Sequence, residues 1–262
     1  MWFHTPELAR KNVKAVASGS RAVPGSPAFE RIAQLRAHEY VAEQLRRHIG
    51  LGLVAAGEAF PPERELALMF GVGRATIQHA LRLLAADRLV ESKRGRSGGN
   101  FVIAPARDAG ALERLLLELK ENRKTIEDAL VYRRTVEMAS VTLAAQAASN
   151  EELDEIEMMA EGMRSAESEL EFHRLDTDFH LQIARASGNG LLLEAVERSR
   201  LLLNGAILAQ PESELWHRRM DREHDAIVTA LRARDAKRAA KAISVHLDHS
   251  EQGIRAVMAA LR

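Results

Sequence analysis

The stretch FPPERELALMFGVGRATIQHALRLL, Phe60 to Leu84, decides how the rest of the chain is read. It holds two short apolar-periodic segments around a glycine-bounded break. In the first, Leu66, Ala67 and Phe70 share one helical face. Pro61-Pro62 stands just ahead of it, where a helix start needs no amide donor. Gly71-Val72-Gly73 interrupts the pattern. The second segment opens at Arg74 and spaces Ile77, Ala80, Leu81 and Leu84 as the buried side of a new helix. Two helices joined by a tight glycine turn make a helix-turn-helix. Arg74, Ala75, Thr76 and Gln78 then point outward from the first turns of the second helix, the part of such a motif that reaches base edges in the major groove.

Outward from this stretch, residues 29–49 place Ile32, Leu35, Val41, Leu45 and Ile49 at the spacing of a preceding helix. After Leu84, Arg88–Val90 and Asn100–Ile103 read as two short strands, and Lys93–Gly99 (KRGRSGG) as the basic hairpin loop between them. That loop is a wing, with Lys93, Arg94, Gly95 and Arg96 placed to meet phosphates or the minor groove. The expected organisation is an N-terminal arm and linker at 1–28, a winged helix-turn-helix at 29–103, a linker at 104–110 around Ala104-Pro105-Ala106, and an all-α unit at 111–262. The second unit should hold about six or seven helices, so the fold class is mainly α. Helix signals there are Thr125-x-x-Asp128, Asn150 before EELDEIE, the stop at Gly188-Asn189, and Asp235 before a long last helix.

The totals fit this division. Of 262 residues, 1–107 carry 16 Lys/Arg against 9 Asp/Glu, and the remainder 21 against 28, so a basic half of +7 adjoins an acidic half of −7. A basic module joined to an acidic one suits a nucleic-acid binder coupled to a ligand binder. Only 4% of residues are aromatic, which argues against base-stacking single-strand binding. There is no cysteine, hence no disulfide and no thiolate metal site. No run approaches the ~20 apolar residues of a membrane span. The first residues, MWFHTPELARKNVK, lack the apolar core of a secretory signal. A cytoplasmic protein is expected.

In the second unit, Asp176 and His180 lie four apart on the face continued by Ile183 and Ala184. His224 falls with Ile227, Val228 and Leu231, and His246 with Ile243, Leu247 and Ile254. Four ionisable groups on inward faces of three helices need partners, because each buried polar group left unpaired costs about 1–3 kcal/mol. One shared cation would satisfy all of them. His173 lies on the same face and could compete as a ligand, whereas His217 and His249 read as surface residues.

PPERELA followed by GVGRATIQHAL resembles the GntR family of bacterial transcription regulators, with Glu63, Arg64, Leu66, Gly71, Val72, Arg74, Ala80 and Leu81 on the family pattern. Pro62, Gly73 and Gln78 depart from it, replacing Ser/Thr, Ser/Thr and Arg. Asp176-x-x-Phe179-His180, Glu223-His224 and His246-Leu247 resemble the FCD effector domain of the FadR branch. The resemblance implies a homodimer on an inverted-repeat DNA operator, probed by Arg64, Arg74 and the wing. It also implies a divalent metal on Asp176, His180, His224 and His246, zinc first, with nickel, manganese or iron also compatible with an N3O set. Arg133 and Glu137 fall at the family's Arg and Glu, so Arg133 is a candidate for binding a small organic-acid effector; an intrahelical pair with Glu137 is the other reading. Tyr132 stands where the family has Glu. The expected function is a transcription regulator, a repressor by type, tuned by that acid. The rivals are a metal hydrolase, which would want a positioned base such as that of H-E-x-x-H, and a regulator whose metal is structural or is itself the signal.

Overall fold

The structure, a computed structural model, describes residues 36–93, 95, 98–103, 117, 119–211 and 213–260. The expected arm at 1–28, Ile32 and Leu35, Arg94 and Arg96 of the wing, and the linker at 104–110 lie outside the described residues.

The winged half begins with α1 (Ala37–Gly50), α2 (Glu63–Phe70) and α3 (Arg74–Ala86), followed by β1 (Val90–Lys93) and β2 (Gly99–Val102). Helix α2 starts directly after Pro62, and its first turn carries Glu63 and Glu65, whose charge suits the positive end of the helix. Gly71 ends it at φ 63°, the left-handed conformation that a glycine adopts without strain. Gly73 then stands at the cap of α3 with no side chain to bind the free amides, so the Ser/Thr cap of the family pattern is lost. Leu66, Ile77, Ala80, Leu81 and Leu84 meet Val41, Leu45 and Ile49 of α1 and Val90 and Val102 of the hairpin in one core. The strands pair antiparallel, Val90 opposite Val102 and Lys93 opposite Gly99. The first strand begins at Val90 rather than Arg88, because Arg88 takes a positive φ of 57° in closing the end of α3. A side chain in that conformation gives no sequence signal of its own.

The second half is helical throughout its described length: α4 (Arg123–Ala147), α5 (Asn150–Arg164), α6 (Glu169–Ala186), α7 (Gly190–Leu208), α8 (Glu214–Arg232) and α9 (Ala236–Ala260). These six, with helical residues at 119–121 ahead of them, make the protein mainly α. Two helix starts differ from expectation. Helix α4 opens at Arg123, so Thr125 lies inside its first turn, and Asp128 pairs with Lys124 at 2.5 Å rather than closing a cap. Helix α5 is capped by Ser149, one residue earlier than Asn150; the Glu152 amide donates to Ser149 Oγ at 3.1 Å, and the Ser149 amide to Glu152 Oε2 at 2.8 Å. Gly188 and Asn189 do separate α6 from α7, with Asn189 Oδ1 accepting from the amides of Leu191 and Leu192.

Helix α4 packs against α6, α7, α8 and α9, which brings the polar faces of α4, α6, α8 and α9 to a common interior. Helix α7 has a second neighbour. Arg47 Nη1 of α1 lies 3.2 Å from Glu197 Oε2, and Asn204 Nδ2 donates to the Gly50 carbonyl at 2.7 Å. Leu51, just past α1, is buried with Val136, Leu181, Ala184 and Val196 of the helical half. No described helix is long and apolar enough to cross a membrane.

Candidate functional site

Asp176 and His180 come from α6, His224 from α8 and His246 from α9, and each is at most 7% exposed. One ligand-capable atom from each lies within 4.8 Å of the others. Asp176 Oδ1 stands 3.6 Å from His180 Nε2 and 3.3 Å from His224 Nε2, and the rings of His224 and His246 are centred 4.8 Å apart. The four residues read from the sequence thus converge on one point inside the bundle. His173, the possible competitor, lies outside this cluster and lines the adjoining pocket.

Among the described residues, His180 Nε2, both nitrogens of His224 and His246 Nδ1 are buried without a hydrogen-bond partner. Leaving such atoms unpaired is costly, and imidazole lone pairs beside a carboxylate are a donor set that a divalent ion takes up. The residues present therefore fit a metal, and their N3O composition suits zinc, nickel, manganese or iron. Burial raises the Asp176 carboxyl, but Arg200 and His180 outweigh it and hold the group well below its usual range, ionised. Burial, then the neighbouring His224 and His180, pushes His246 well below the usual imidazole range. It stays neutral, the form that ligates a cation.

Around these four sits a supporting shell. Arg200 of α7, buried, donates through Nη2 to Asp176 Oδ2 at 2.6 Å and to Thr177 Oγ1 at 2.9 Å. Glu137 of α4 places Oε2 2.6 Å from His180 Nδ1 and accepts from Arg133 Nε through Oε1 at 2.7 Å. Burial pushes Glu137 up, yet Arg133 and His180 outweigh it and keep the carboxylate well below its ordinary value. Glu223 Oε2 lies 3.3 Å from His246 Nδ1 without completing a hydrogen bond, and its Oε1 meets His249 Nδ1 at 2.5 Å. Partners of this kind orient metal-binding imidazoles. Glu223 stands in the motif with His224, whereas Arg200 carries no spacing signal. His249, read as a surface residue, is partly covered by its contact with Glu223, and His217 is half-buried with its ring 5.1 Å from that of Phe172.

Beside the cluster lies a narrow pocket with a cavity volume of about 20 Å³, lined by the polar residues Asp176, His246, Arg133, His173, Ser250 and Gln210 and by the rings of Phe172 and Trp216. The two readings of Arg133 coexist: it pairs with Glu137, and it also borders the pocket, donating from Nη1 to Ser250 Oγ at 3.0 Å. Its planar fork, beside a cluster that could hold a cation, is suited to a carboxylate.

The other candidate surface is on α2, α3 and the hairpin. Arg64, Arg74, Ala75 and Gln78 are exposed there and Thr76 is half-buried, while Lys93 and Gly95 are exposed on the wing. Lys93 Nζ contacts Glu91 at 2.7 Å and lies 4.8 Å above the Phe101 ring. Arg94 and Arg96 fall outside the described residues. Glu63, at the start of α2, accepts from Gln78 Nε2 at 2.9 Å and stands 3.6 Å from Arg74 Nη2.

The family model of the FCD domain matches residues 128–249, and that of the bacterial regulatory proteins of the gntR family matches 37–99. The HTH-type transcriptional repressor NanR of Klebsiella aerogenes is 30% identical over 224 residues, 82% of this chain and 84% of that one. A putative HTH-type transcriptional regulator, RmpR of Mycobacterium gastri, is 28% identical over 235 residues, 85% of this chain and 81% of its own. Among solved structures, McbR/YncC of E. coli aligns with a TM-score of 0.48 at 17% identity, covering 87% of this chain and all of that one. The chain therefore belongs to the GntR family, as a DNA-binding transcription regulator with an FCD domain and not an enzyme.

Proposed function

We propose that this protein is a cytoplasmic, homodimeric repressor whose grip on an inverted-repeat operator is loosened by a small carboxylate bound at a divalent metal, zinc first among the candidates. The observation that supports the reading is the adjacency of two features: buried imidazole nitrogens without hydrogen-bond partners in the cluster around Asp176, and the fork of Arg133 in a pocket that Asp176 and His246 also line. Asp176, His180, His224 and His246 would hold the ion, which when bound supplies positive charge for an anionic ligand. Arg133 and Ser250 would orient the carboxylate. Two-fold symmetry of the dimer would match that of the operator, and Arg64, Arg74, Ala75, Thr76 and Gln78 with the wing Lys93–Arg96 would meet the DNA. The domain bounds 29–103 and 111–262 belong to the same proposal.

A ligand alters DNA affinity only by binding the competent and incompetent arrangements unequally. Movement of α4 through the 104–110 linker is one route. A more direct one is α7, whose Arg200 holds Asp176 while its Glu197 and Asn204 hold the end of α1. The test is calorimetry and gel shift with small mono- and dicarboxylates and sugar acids on the metal-loaded protein. An effector should weaken operator binding by the 5–150-fold of a typical coupling. Chelation and Arg133→Lys, which keeps a charge for Glu137 but loses the fork, should each abolish the response and spare DNA binding. An acid that acts equally on all three proteins would place the effector elsewhere.

A further inference from the structure

Glu63 puts a carboxylate on the surface that would face a polyanion, where it opposes the phosphates. Such a group costs affinity unless it does something else there. It sits in the first turn of α2, where the helix end favours negative charge, and its side chain is 28% exposed against 66% for Arg74. One oxygen, Oε2, meets both Gln78 Nε2 at 2.9 Å and Arg74 Nη2 at 3.6 Å.

An amide beside a carboxylate has a single workable orientation, because its carbonyl would be repelled and only its NH2 can donate. Gln78 stands on the outward side of α3 and is exposed. One hydrogen of its NH2 goes to Glu63, which leaves the second hydrogen and the carbonyl Oε1 for a partner. A paired acceptor and donor on one amide is what the N6 amino group and N7 of adenine take together. Guanine offers two acceptors in the same place, so a locked carbonyl would face O6, with the negative Glu63 behind it. An amide free to turn would discriminate less.

From this geometry we infer that Glu63 is a positioning residue for Gln78: it locks the amide so that α3 selects adenine and rejects guanine at one base pair of each half-site. The inference rests on reading the Arg74–Gln78 face as the surface that meets DNA. If Glu63 merely stitches α2 to α3, its loss lowers the melting temperature and leaves base preference alone.

The experiment uses the full-length protein and an operator selected from a random duplex library. At each position the four base pairs are then compared by fluorescence anisotropy at fixed salt. The parent should prefer adenine at one position by about 5–150-fold, the range expected for one good bidentate contact. Gln78→Ala should bring that ratio to about one. Glu63→Ala should lower it at the same position while raising affinity for random DNA, with no more than the small drop in melting temperature that losing a charge at the start of α2 brings. If Gln78→Ala changes no position, the DNA-reading face is misassigned and the inference falls with it. If Gln78→Ala removes the preference but Glu63→Ala keeps it, the inference alone fails. A loss in Glu63→Ala that maps to another base pair overturns it as well, since Glu63 would then read DNA directly or act through Arg74.

Discussion

The protein has two polar constellations built on opposite plans. Around Asp176 the charged groups are shut away from water, and each carboxylate is held by a guanidinium or an imidazole from another helix or another turn. Around Gln78 the polar groups stand in solvent, and one carboxylate, Glu63, organises two neighbours. Burial makes the first arrangement obligatory, because a lost partner leaves a charge that nothing solvates. In the second, water replaces any lost partner cheaply. Stability should therefore register damage to the first site, and DNA affinity damage to the second.

The sharpest way to break this contrast is at Arg200. Arg200→Met removes the partner of a buried, ionised Asp176 and should cost about 3–5 kcal/mol in denaturant unfolding of the metal-free protein. A loss under about 1 kcal/mol would mean that the buried site tolerates disruption as the surface does. Next comes the metal. Elemental analysis should find about one divalent ion per chain, and none in the double variant His180→Ala/His224→Ala. With free metal at a thousand times its dissociation constant, chelation should remove about 4 kcal/mol of stability. Undiminished metal in the double variant would move the site toward His173.

The exposed site should answer in binding only. Arg74→Ala should lose about 1–3 kcal/mol of specific operator affinity, measured by anisotropy, with little change in melting. Binding equal to the parent would show that α3 does not read the operator. The smallest effect belongs to a surface network, Glu251 with Arg134 at 3.0 Å and Arg255 at 2.7 Å. Burial raises the Glu251 carboxyl, but hydrogen bonds from Arg255 and Arg134, with their charges, together outweigh it and hold the group below its ordinary value. Its contribution is complete above the unfolded-state value and is lost as pH falls through the lower folded one. Glu251→Gln should cost about 0.2–1 kcal/mol at neutral pH and nothing in acid, seen as a flatter curve of stability against pH.

The same contrast separates what was legible in the chain from what was not. Ile77, Ala80, Leu81 and Leu84 announce α3 because a single helix dictates their spacing. Asp176 and His180 were legible in the same way, and His224 and His246 by the apolar residues that share their faces. Among the supporting residues, Glu137 and Glu223 stand in the motifs, but Arg200 does not. Arg200 lies 24 residues from Asp176 and meets it only through the packing of α7 on α6, a distance that no local period encodes. Glu63 was legible as part of a motif, but its hold on Gln78 depends on how α2 crosses α3. Local errors have local causes. Ser149 is hard to tell from Asn150 as a cap because the two are equally good candidates side by side, and the sequence signal of β1 begins two residues early because nothing in Arg88 advertises a left-handed backbone.

Leu51 belongs in sequence to the winged half and in space to the other, buried with Val136, Leu181, Ala184 and Val196, one residue beyond the carbonyl that Asn204 engages. The point where the chain can be cut is therefore not the point where the protein comes apart. A winged half produced alone would present Leu51 to water and leave Arg47 without Glu197, so its solubility and its DNA affinity would not be those of the same residues in the intact chain. The same seam constrains domain exchange. A winged unit transplanted onto another FCD domain keeps these contacts only where that domain offers partners like Asn204 and Glu197.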